Sequence, residues 1–332
     1  MTFSPAHSLP NPPVLLAPMA GITDRPFRDL VLRFGAGLVV SEMVASQEMV
    51  QAKASVRDRA ELGLDRQRTA VQLAGRDPYW MAEAARVVAD QGAAQIDINM
   101  GCPAKKVTSG LSGAALMREP DLAMRLIAAV IGAVDIPVTL KTRLGWDDDS
   151  ISAPSLAKSA AEEGIQRIVI HGRTRCQFYK GQANWVAVAA VKSAVDVPVI
   201  VNGDIKNSET ARIALEQSAA DGVMIGRGAQ GKPWVLAEIA HVLYGAPAPD
   251  LPDRTGLAAL ACEHYEDMLA FYGADLGIRV ARKHLGWYLD TADIHDKTLR
   301  RAVLTETQPK AVLNALEAAL GAAPSAPREV AA

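Results

Sequence analysis

Hydrophobic residues along most of this chain fall into eight short continuous runs, and each run is followed by a longer stretch with helical spacing. The runs lie between Pro13 and about Tyr244 and read PVLLAP, GLVVSEM, TAVQLAG, QIDINM, IPVTLKT, RIVIHG, VPVIVNG and DGVMIGRG. Continuous apolar strands that alternate with helices are typical of a parallel sheet covered on both faces. Eight such units in about 250 residues predict an α/β fold, specifically a (β/α)8 TIM barrel.

An open doubly wound sheet is the alternative fold for the same alternation of strands and helices. That fold usually has fewer strands and a glycine-rich turn after the first one. Here the first turn is APMAGIT, and the glycine-dense turn GRGAQG follows the last run. The segments between the runs carry helix-end signals: Asp77 can cap a helix that begins at Pro78, and Gly92 suits its end.

Changes in composition mark the domain boundaries. The proline- and glycine-rich segment YGAPAPDLPDRTG separates the barrel from the helical patterns LAALACEHYEDMLAFYG, LGIRVARKHLGWYLD and PKAVLNALEAALG. We therefore predict a disordered N-terminal segment over 1–12, a catalytic TIM barrel over 13–245, a linker over 246–256, a small all-α domain over 257–321 and a disordered tail over 322–332.

The overall composition is that of an ordinary globular protein. Of the 332 residues, 49% are hydrophobic and 22% are charged, and the formal net charge is −2, so any surface for a nucleic acid must be local. Cys102, Cys176 and Cys262 are too few and too scattered for a disulfide framework or a structural zinc site. We expect a reducing compartment, the cytoplasm, with no metal site, no signal peptide and no membrane span.

Polar and reactive side chains interrupt nearly every run at its carboxyl end, where barrels of this kind carry their sites. Taken singly, each has an ordinary explanation, since a buried amide is usually a satisfied core group and a free cysteine is usually a small buried hydrophobe. A lysine inside an apolar strand is harder to explain, because a buried ammonium is costly without a partner. Their shared position predicts one site, formed by Met19, Gln72, Asn99, Cys102, Lys141, Arg143, His171, Asn202, Asp204 and Arg227.

The turn after the last run, Gly226 to Gly231, matches the pattern G-x-G-x-x-G and opens a helix. A dinucleotide fold is excluded, because a helix and a proline-rich linker follow in place of a second strand with an acidic end. Backbone amides at a helix start still favour an anion. Together with NGDI after the seventh run, the turn predicts the phosphate site formed by the last two loops of many barrels.

A phosphate held there places the rest of its cofactor over the barrel mouth, and FMN is the cofactor that matches. The amide of Gln72 could hydrogen-bond the edge of the flavin ring, and Lys141 could stabilise the anionic reduced ring. His171 also lies within reach. The small residues of APMAG, Pro18 to Gly21, would let the ring approach the backbone closely.

Six segments, APMAGITDRPFR, DINMGCPAKKV, VTLKTRLGW, IHGRTR, NGDI and MIGRGAQGKPW, closely resemble the tRNA-dihydrouridine synthases, with the spacing of the bacterial B-type subgroup. The resemblance extends from about residue 14 to about residue 320. It implies FMN, NADPH as reductant, and reduction of the C5–C6 bond of a D-loop uridine in tRNA. It also implies hydride transfer from flavin N5 to C6 and proton transfer from Cys102 to C5. The residues that would hold FMN are Pro18, Met19, Ala20, Gln72, Lys141, His171, Asn202, Gly203, Asp204, Gly226 and Arg227.

An enzyme of this kind must hold structured RNA around an extruded base. We expect Asn99, Lys105 and Arg143 to contact the substrate, and the helical domain to bind tRNA through Arg279, Arg282 and Lys283. Arg279, Lys283 and Trp287 are spaced four apart and share one stripe of a helix. A solvated cationic face with Trp287 in the core is the alternative. We expect a monomer.

Two other functions remain open from the sequence alone. The chain could be an RNA-binding or chaperone-like protein with a vestigial flavin site. It could also be a reductase of free pyrimidines on the same barrel, which would not need residues 257–320.

Overall fold

The computed structural model describes residues 9–51 and 58–321. Its strands are β1 Val14–Leu16, β2 Leu38–Val40, β3 Val44–Ala45, β4 Thr69–Ala74, β5 Gln95–Met100, β6 Val138–Arg143, β7 Ile168–His171, β8 Val199–Asn202 and β9 Gly222–Ile225. Its helices are α1 Arg25–Phe34, α2 Ser46–Val50, α3 Pro78–Asp90, α4 Lys105–Thr108, α5 Pro120–Ile131, α6 Ala153–Glu163, α7 Val186–Lys192, α8 Ser208–Ser218, α9 Val235–Tyr244, α10 Arg254–Tyr272, α11 Ala274–Thr291, α12 Lys297–Thr305 and α13 Pro309–Gly321.

The strands close into a parallel ring. Each strand from β4 to β9 pairs with the next, β9 pairs with β1, β1 pairs with β2, and β2 pairs with β4. This confirms the predicted (β/α)8 TIM barrel and the α/β fold class. The second run, GLVVSEM, is interrupted: β2 pairs with the start of β4, and the two residues of β3 pair with its end.

The helix ends follow local signals in the sequence. The Asp24 side chain accepts the amide of Phe27 and caps α1, and Gly35 ends that helix in left-handed geometry. Asp77 caps α3 with Pro78 in its first turn, as predicted. Asn207 and Thr210 form a reciprocal capping box at the start of α8.

Two apolar cores pack on opposite faces of the strands. The larger core lies between the strands and the surrounding helices and includes Leu16, Phe27, Leu73 and Ile98. A second, smaller cluster fills the inside of the ring, because alternate strand residues face inward. It contains Leu15, Ala17, Leu38, Val40, Ala70, Val169, Ile200 and Met224. Toward their carboxyl ends, strands β4 to β8 instead direct polar residues inward.

The chain divides into two compact units. One comprises the described residues up to Ala229 together with Pro233–Pro249, and the other comprises Gln230–Lys232 together with the described residues from Asp250 onward. In the helical unit, α10 packs against α11 and α13 around a core that includes Ala261, Met268, Leu285 and Leu316. None of the helices in the described ranges is long and apolar enough to cross a membrane.

Two predicted boundaries differ from the structure. Helix α10 begins at Arg254, inside the predicted linker, because the Asp253 side chain accepts the amide of Gly256 and caps it. Residues 9–12 belong to the segment predicted to be disordered, yet Leu9 packs against the inner cluster and the Pro12 carbonyl accepts the amide of Val14. The predictions for residues 1–8 and 322–332 lie outside the described residues.

Candidate active site at the carboxyl ends of the strands

The register of the ring brings the predicted residues together. Gln72 is level with Asp97, Asn99 with Lys141, Arg143 with His171, and His171 with Asn202. Because these positions share one parity along neighbouring strands, their side chains face the same interior space. The polar residues that the sequence pattern singled out on β4 to β8 therefore face inward at one end of the ring.

Cys102 lies in a turn directly after β5. The Asn99 Oδ1 atom accepts the backbone amides of Gly101 at 3.1 Å and Cys102 at 3.0 Å, and the Cys102 carbonyl accepts the amide of Ala114 at 3.1 Å. A Cβ atom at Gly113, where φ is +60°, would lie 2.8 Å from the Cys102 carbonyl, so this position requires glycine. The turn holds a half-buried free thiol at the strand end.

Gln72 and Asn99 bond to other side chains of the protein. Gln72 is fully buried, its Nε2 donates to Asp97 Oδ2 at 2.7 Å, and its Oε1 accepts from Asn99 Nδ2 at 2.7 Å. Thr139 donates to the other Asp97 oxygen at 2.7 Å. Burial raises the pKa of Asp97, and the hydrogen bonds from Gln72 and Thr139 oppose that rise. The flavin contact of Gln72 and the substrate contact of Asn99 stay predictions beside these hydrogen bonds within the protein.

Lys141 is a half-buried lysine with an amide partner. Its Nζ atom donates to Asn202 Oδ1 at 3.0 Å, and Asn202 Nδ2 donates to the carbonyl of Met224 at 2.8 Å. Within residues 9–51 and 58–321 it forms no ion pair within 4.0 Å. Burial, followed by the positive charge of Arg143, lowers the pKa of Lys141 to about 8, while Asp97 and Cys102 act in the opposite direction.

His171 is a neutral imidazole surrounded by cations. It is 9% exposed, and its Nε2 lies 3.3 Å from Nη1 of Arg173. Burial lowers its pKa well below the usual value, and the positive charges of nearby side chains act in the same direction. Those cations are Arg143, Lys141, Arg173 and Arg227.

The loops after β8 and β9 carry a bridged carboxylate. Asp204 Oδ2 accepts from Arg173 Nη2 at 2.6 Å and from the amide of Ala183 at 2.8 Å, and its Oδ1 lies 3.4 Å from Arg227 Nη2. Burial would raise the pKa of Asp204, but the hydrogen bonds from Arg173 and Ala183 outweigh it and the pKa is lowered. A Cβ at Gly203, where φ is +116°, would lie 2.9 Å from the His171 ring, so glycine allows the loop to approach the imidazole.

The predicted APMAG turn follows β1. The Met19 carbonyl accepts the amides of Ile22 and Thr23, and the Met19 amide donates to Thr23 Oγ1 at 2.9 Å. Pro18 and Met19 are half-buried, and Ala20 is exposed. A Cβ at Gly226 would lie 3.6 Å from the Met19 sulfur, so this turn and the loop after β9 face each other.

The Arg143 side chain is buried and bonds to the protein backbone, and this differs from the RNA contact that the sequence predicts for it. Its side chain is 2% exposed, its Nε donates to the carbonyl of Gly101 at 2.7 Å, and its Nη1 donates to the carbonyls of Thr174 at 3.0 Å and Phe178 at 2.8 Å. Burial lowers the pKa of Arg143 to about 10. The guanidinium therefore joins the Cys102 turn to the loop after β7.

Sequence reasoning missed a group of stacked arginines and aromatic rings on the loops after β6 and β7. The guanidinium carbons of Arg143 and Arg227 lie 5.5 Å and 5.4 Å from the centre of the Tyr179 ring, which is 55% exposed. Trp146 is contacted by two further guanidinium groups, those of Arg118 at 4.8 Å and Arg175 at 4.6 Å. The signal was present in HGRTRCQFYKG, where arginines and aromatics follow the seventh strand.

The remaining predicted RNA contacts are solvent-accessible to different degrees. Lys105 on α4 is exposed. On α11, Arg279 and Lys283 are exposed, whereas Arg282 and Trp287 are half-buried. The opposite face of α11 is buried through Ile278, Ala281, Leu285 and Leu289. Trp287 lies at the edge of the buried face, so both the RNA-binding face and the solvated cationic face stay predictions.

These features define a (β/α)8-barrel enzyme whose strand ends carry a thiol, a half-buried ammonium and an arginine-rich rim. A family model described as dihydrouridine synthase matches residues 15–324. A probable tRNA-dihydrouridine synthase of Rhodobacter capsulatus is 60% identical over 320 residues, which cover 96% of this chain and 98% of that protein. The tRNA-dihydrouridine synthase B of Pseudomonas aeruginosa is 48% identical over 291 residues, which cover 86% of each chain.

The chain therefore belongs to the dihydrouridine synthase family. This confirms the resemblance read from the sequence motifs and the predicted enzyme class, the flavin-dependent oxidoreductases. A solved structure of histamine dehydrogenase from Rhizobium sp. 4-9 has a TM-score of 0.52 at 12% identity, covering 76% of this chain and 48% of that one. At that identity the likeness concerns the barrel fold alone.

Proposed function

We propose that this chain is an FMN-dependent tRNA-dihydrouridine synthase that uses NADPH to reduce the C5–C6 bond of a D-loop uridine in tRNA. The observation that carries the proposal is the half-buried Cys102 thiol, held at the end of β5 within electrostatic reach of the Lys141 ammonium and the Arg143 guanidinium. The two relatives described above are named as tRNA-dihydrouridine synthases, which supports the choice of substrate.

The residues present fit a flavin that carries one phosphate. Lys141 has no ion-pair partner among the described residues, so its charge is available to an electron-rich ring edge. Arg173 and Arg227 bring two positive charges to the last two loops, where Asp204 brings one negative charge. The excess positive charge suits an anion there. The residues proposed to hold FMN remain Pro18, Met19, Ala20, Gln72, Lys141, His171, Asn202, Gly203, Asp204, Gly226 and Arg227.

When bound, FMN supplies the hydride that the C6 atom of the uracil ring receives. Cys102 then donates the proton that C5 requires. The Asn99 hydrogen bonds hold the Cys102 turn at the strand end and so position the thiol for this transfer. A thiolate left behind by that transfer faces the positive charges of Lys141 and Arg143. His171 stays neutral among these cations, so its contribution is a hydrogen bond and not a charge.

RNA binding is assigned to exposed cations of both units. Lys105 lies three residues after Cys102 and is exposed, which suits contact with the phosphates that flank an extruded uridine. Arg279, Arg282 and Lys283 of the helical unit are proposed to add phosphate contacts, which fix the position of a nucleic acid without reading its sequence.

The proposal is tested on the purified full-length chain. The visible spectrum and chromatography of the released cofactor should identify FMN, and anaerobic NADPH should bleach it faster than NADH does. Mass spectrometry of digested tRNA should then show uridine converted to dihydrouridine at one D-loop position. Conversion of free uridine at a rate equal to that of tRNA would instead favour a small-molecule pyrimidine reductase. A colourless protein that binds tRNA without converting it would favour an RNA-binding role.

A further inference from the structure

A continuous chain of side-chain hydrogen bonds leads from the interior of the barrel to the Cys102 turn. Thr139 donates to Asp97, Gln72 donates to Asp97, Asn99 donates to Gln72, and Asn99 accepts the amides of Gly101 and Cys102. The side chains of Gln72, Asp97 and Asn99 are 0%, 2% and 7% exposed. Bulk water therefore cannot replace a missing partner, and each bond depends on its neighbours.

The direction of donation is fixed from the turn inward. Backbone amides can only donate, so Asn99 must present Oδ1 to Gly101 and Cys102 and direct its Nδ2 inward. Gln72 must then present Oε1 to Asn99 and Nε2 to Asp97. An ionised carboxylate accepts only, and both Asp97 oxygens accept here, one from Gln72 and one from Thr139.

We propose that Gln72 is a positioning residue for the Cys102 turn, and that Asp97 fixes the orientation of the Gln72 amide. Gln72 acts through Asn99, whose side-chain oxygen holds the backbone of the turn. The value of this positioning for catalysis rests on the proposed role of Cys102 as proton donor. The orientation of the turn itself does not depend on that role.

The test compares variants that change hydrogen bonding at position 72 with little change in volume. Gln72→Met removes the acceptor for Asn99, so hydrogen exchange at the Gly101 and Cys102 amides should become about tenfold faster. The double variant Gln72→Glu with Asp97→Asn keeps the hydrogen bonds with donor and acceptor exchanged. The carboxylate at position 72 accepts from Asn99, and the amide at position 97 donates to that carboxylate. Exchange at the two amides should then return to within about threefold of the wild type.

Two further variants serve as controls. Asp97→Asn alone can turn its oxygen toward Gln72 and its amide toward the Thr139 hydroxyl, so exchange at the turn should stay close to the wild-type rate. Thr142→Val removes a buried hydroxyl that donates to the carbonyl of Met100, between the same two strands but outside the chain of hydrogen bonds. It should leave exchange at Gly101 and Cys102 unchanged.

Two rates, both measured at saturating FMN so that any loss of flavin affinity does not enter, separate this role from the alternatives. Positioning predicts that Gln72→Met lowers the rate of uridine reduction more than the rate of flavin bleaching by NADPH, and that the double variant recovers both uridine reduction and exchange. If residue 72 acted through packing alone, Gln72→Met would keep more of the uridine reduction rate than the double variant Gln72→Glu with Asp97→Asn. That result would overturn the proposal. So would wild-type exchange at the turn in Gln72→Met. Faster exchange with unchanged uridine reduction would instead contradict Cys102 as proton donor and leave the positioning of the turn intact.

Discussion

The Arg143 guanidinium donates to the carbonyl of Gly101 at 2.7 Å, one residue before the thiol proposed as proton donor. The same side chain donates to two carbonyls of the loop after β7, those of Thr174 and Phe178. Its planar group with several fixed donors can serve three acceptors at once, which a lysine ammonium on a flexible stem cannot match. Arg143 is therefore the link that sets the Cys102 turn against its neighbouring loop.

Replacing Arg143 by methionine should destabilise the barrel. Three carbonyls lose a charged donor in a region where Arg143 is 2% exposed, so we expect the free energy of unfolding to fall by on the order of 3 kcal/mol. Urea denaturation followed by circular dichroism measures the change. Arg212→Met, at an exposed helical ion pair with Glu216, is the matched control and should change stability by less than about 0.5 kcal/mol. Equal effects of the two variants would contradict the tethering role.

Cys102→Ala should slow the reduction of tRNA uridine by the reduced enzyme without slowing the reduction of the flavin by NADPH. Loss of a general acid typically lowers a rate by about 10²–10⁴-fold, so we expect that loss in the reduction of tRNA uridine, measured by single-turnover oxidation of the reduced enzyme. Bleaching of the flavin by NADPH should keep its wild-type rate, because that step needs no proton from Cys102. Cys176→Ala removes an exposed thiol on another loop and should leave both rates unchanged. Normal uridine reduction in Cys102→Ala would remove Cys102 from the mechanism.

The fold and the location of the site were predictable from the sequence because both depend on simple periodicities. Eight apolar runs predict eight strands, and parallel strands bring their carboxyl ends to one rim, so Lys141, His171 and Cys102 were expected to be neighbours. The break between β2 and β3 and the start of α10 at Arg254 were not predicted. Each depends on a short stretch of residues and not on a repeating pattern.

The partner of each side chain could not be read from spacing. Gln72, Asn99 and Arg143 have residue types that suit a cofactor or an RNA, and only the three-dimensional contacts show that their polar atoms bond to Asp97, Gln72 and Gly101. Buried polar groups must find partners, but which partner depends on residues from distant parts of the sequence. The stacking of Arg227 on Tyr179 could not be predicted either, because the two residues lie on separate loops that are distant in the sequence.

The salt dependence of tRNA binding should report the proposed phosphate contacts of the helical unit. Each lost phosphate contact lowers the slope of log affinity against log salt by about one, so Arg279→Gln with Lys283→Gln should lower it by about two. Filter binding or fluorescence anisotropy over a range of salt concentrations measures the slope. Lys297→Gln with Arg301→Gln, at two exposed cations of α12, is the control that removes the same amount of charge. The same loss in the control would show that general positive charge, and not these two side chains, attracts the RNA.

Replacing Gly228 and Gly286 by alanine should change the stability of the protein in opposite directions. A Cβ at Gly228 would lie 2.5 Å from the carbonyl of Ile205 and 2.9 Å from the Lys206 Cα, so Gly228→Ala should force the last two barrel loops apart at a cost of about 1–3 kcal/mol. Gly286 lies inside α11, where the nearest atom to a new Cβ is a flexible Leu304 methyl at 3.9 Å. Gly286→Ala should stabilise the helical unit by about 0.5–1 kcal/mol.

Calorimetry of the full-length chain measures both glycine variants, since each should move the melting transition of the unit that contains it. Gly228→Ala should also weaken FMN binding, because the loops it separates are those proposed to hold the phosphate. A Gly228→Ala protein with unchanged melting and flavin affinity would show that the two loops have more freedom than this packing indicates.

The alkaline limit of flavin reduction should reflect the ionisation of Lys141. Burial lowers the pKa of this ammonium to about 8, so it loses its proton, and with it the positive charge, as the pH rises through that value. We expect the rate of flavin bleaching by NADPH to be constant below about pH 8 and to fall above it, because the reduced anionic ring loses its cationic partner. Lys141→Arg keeps a charged group that holds its proton at higher pH, so it should move this limit upward. Stopped-flow absorbance from pH 6 to pH 10 measures both profiles; an identical alkaline limit in the two proteins would assign it to another group.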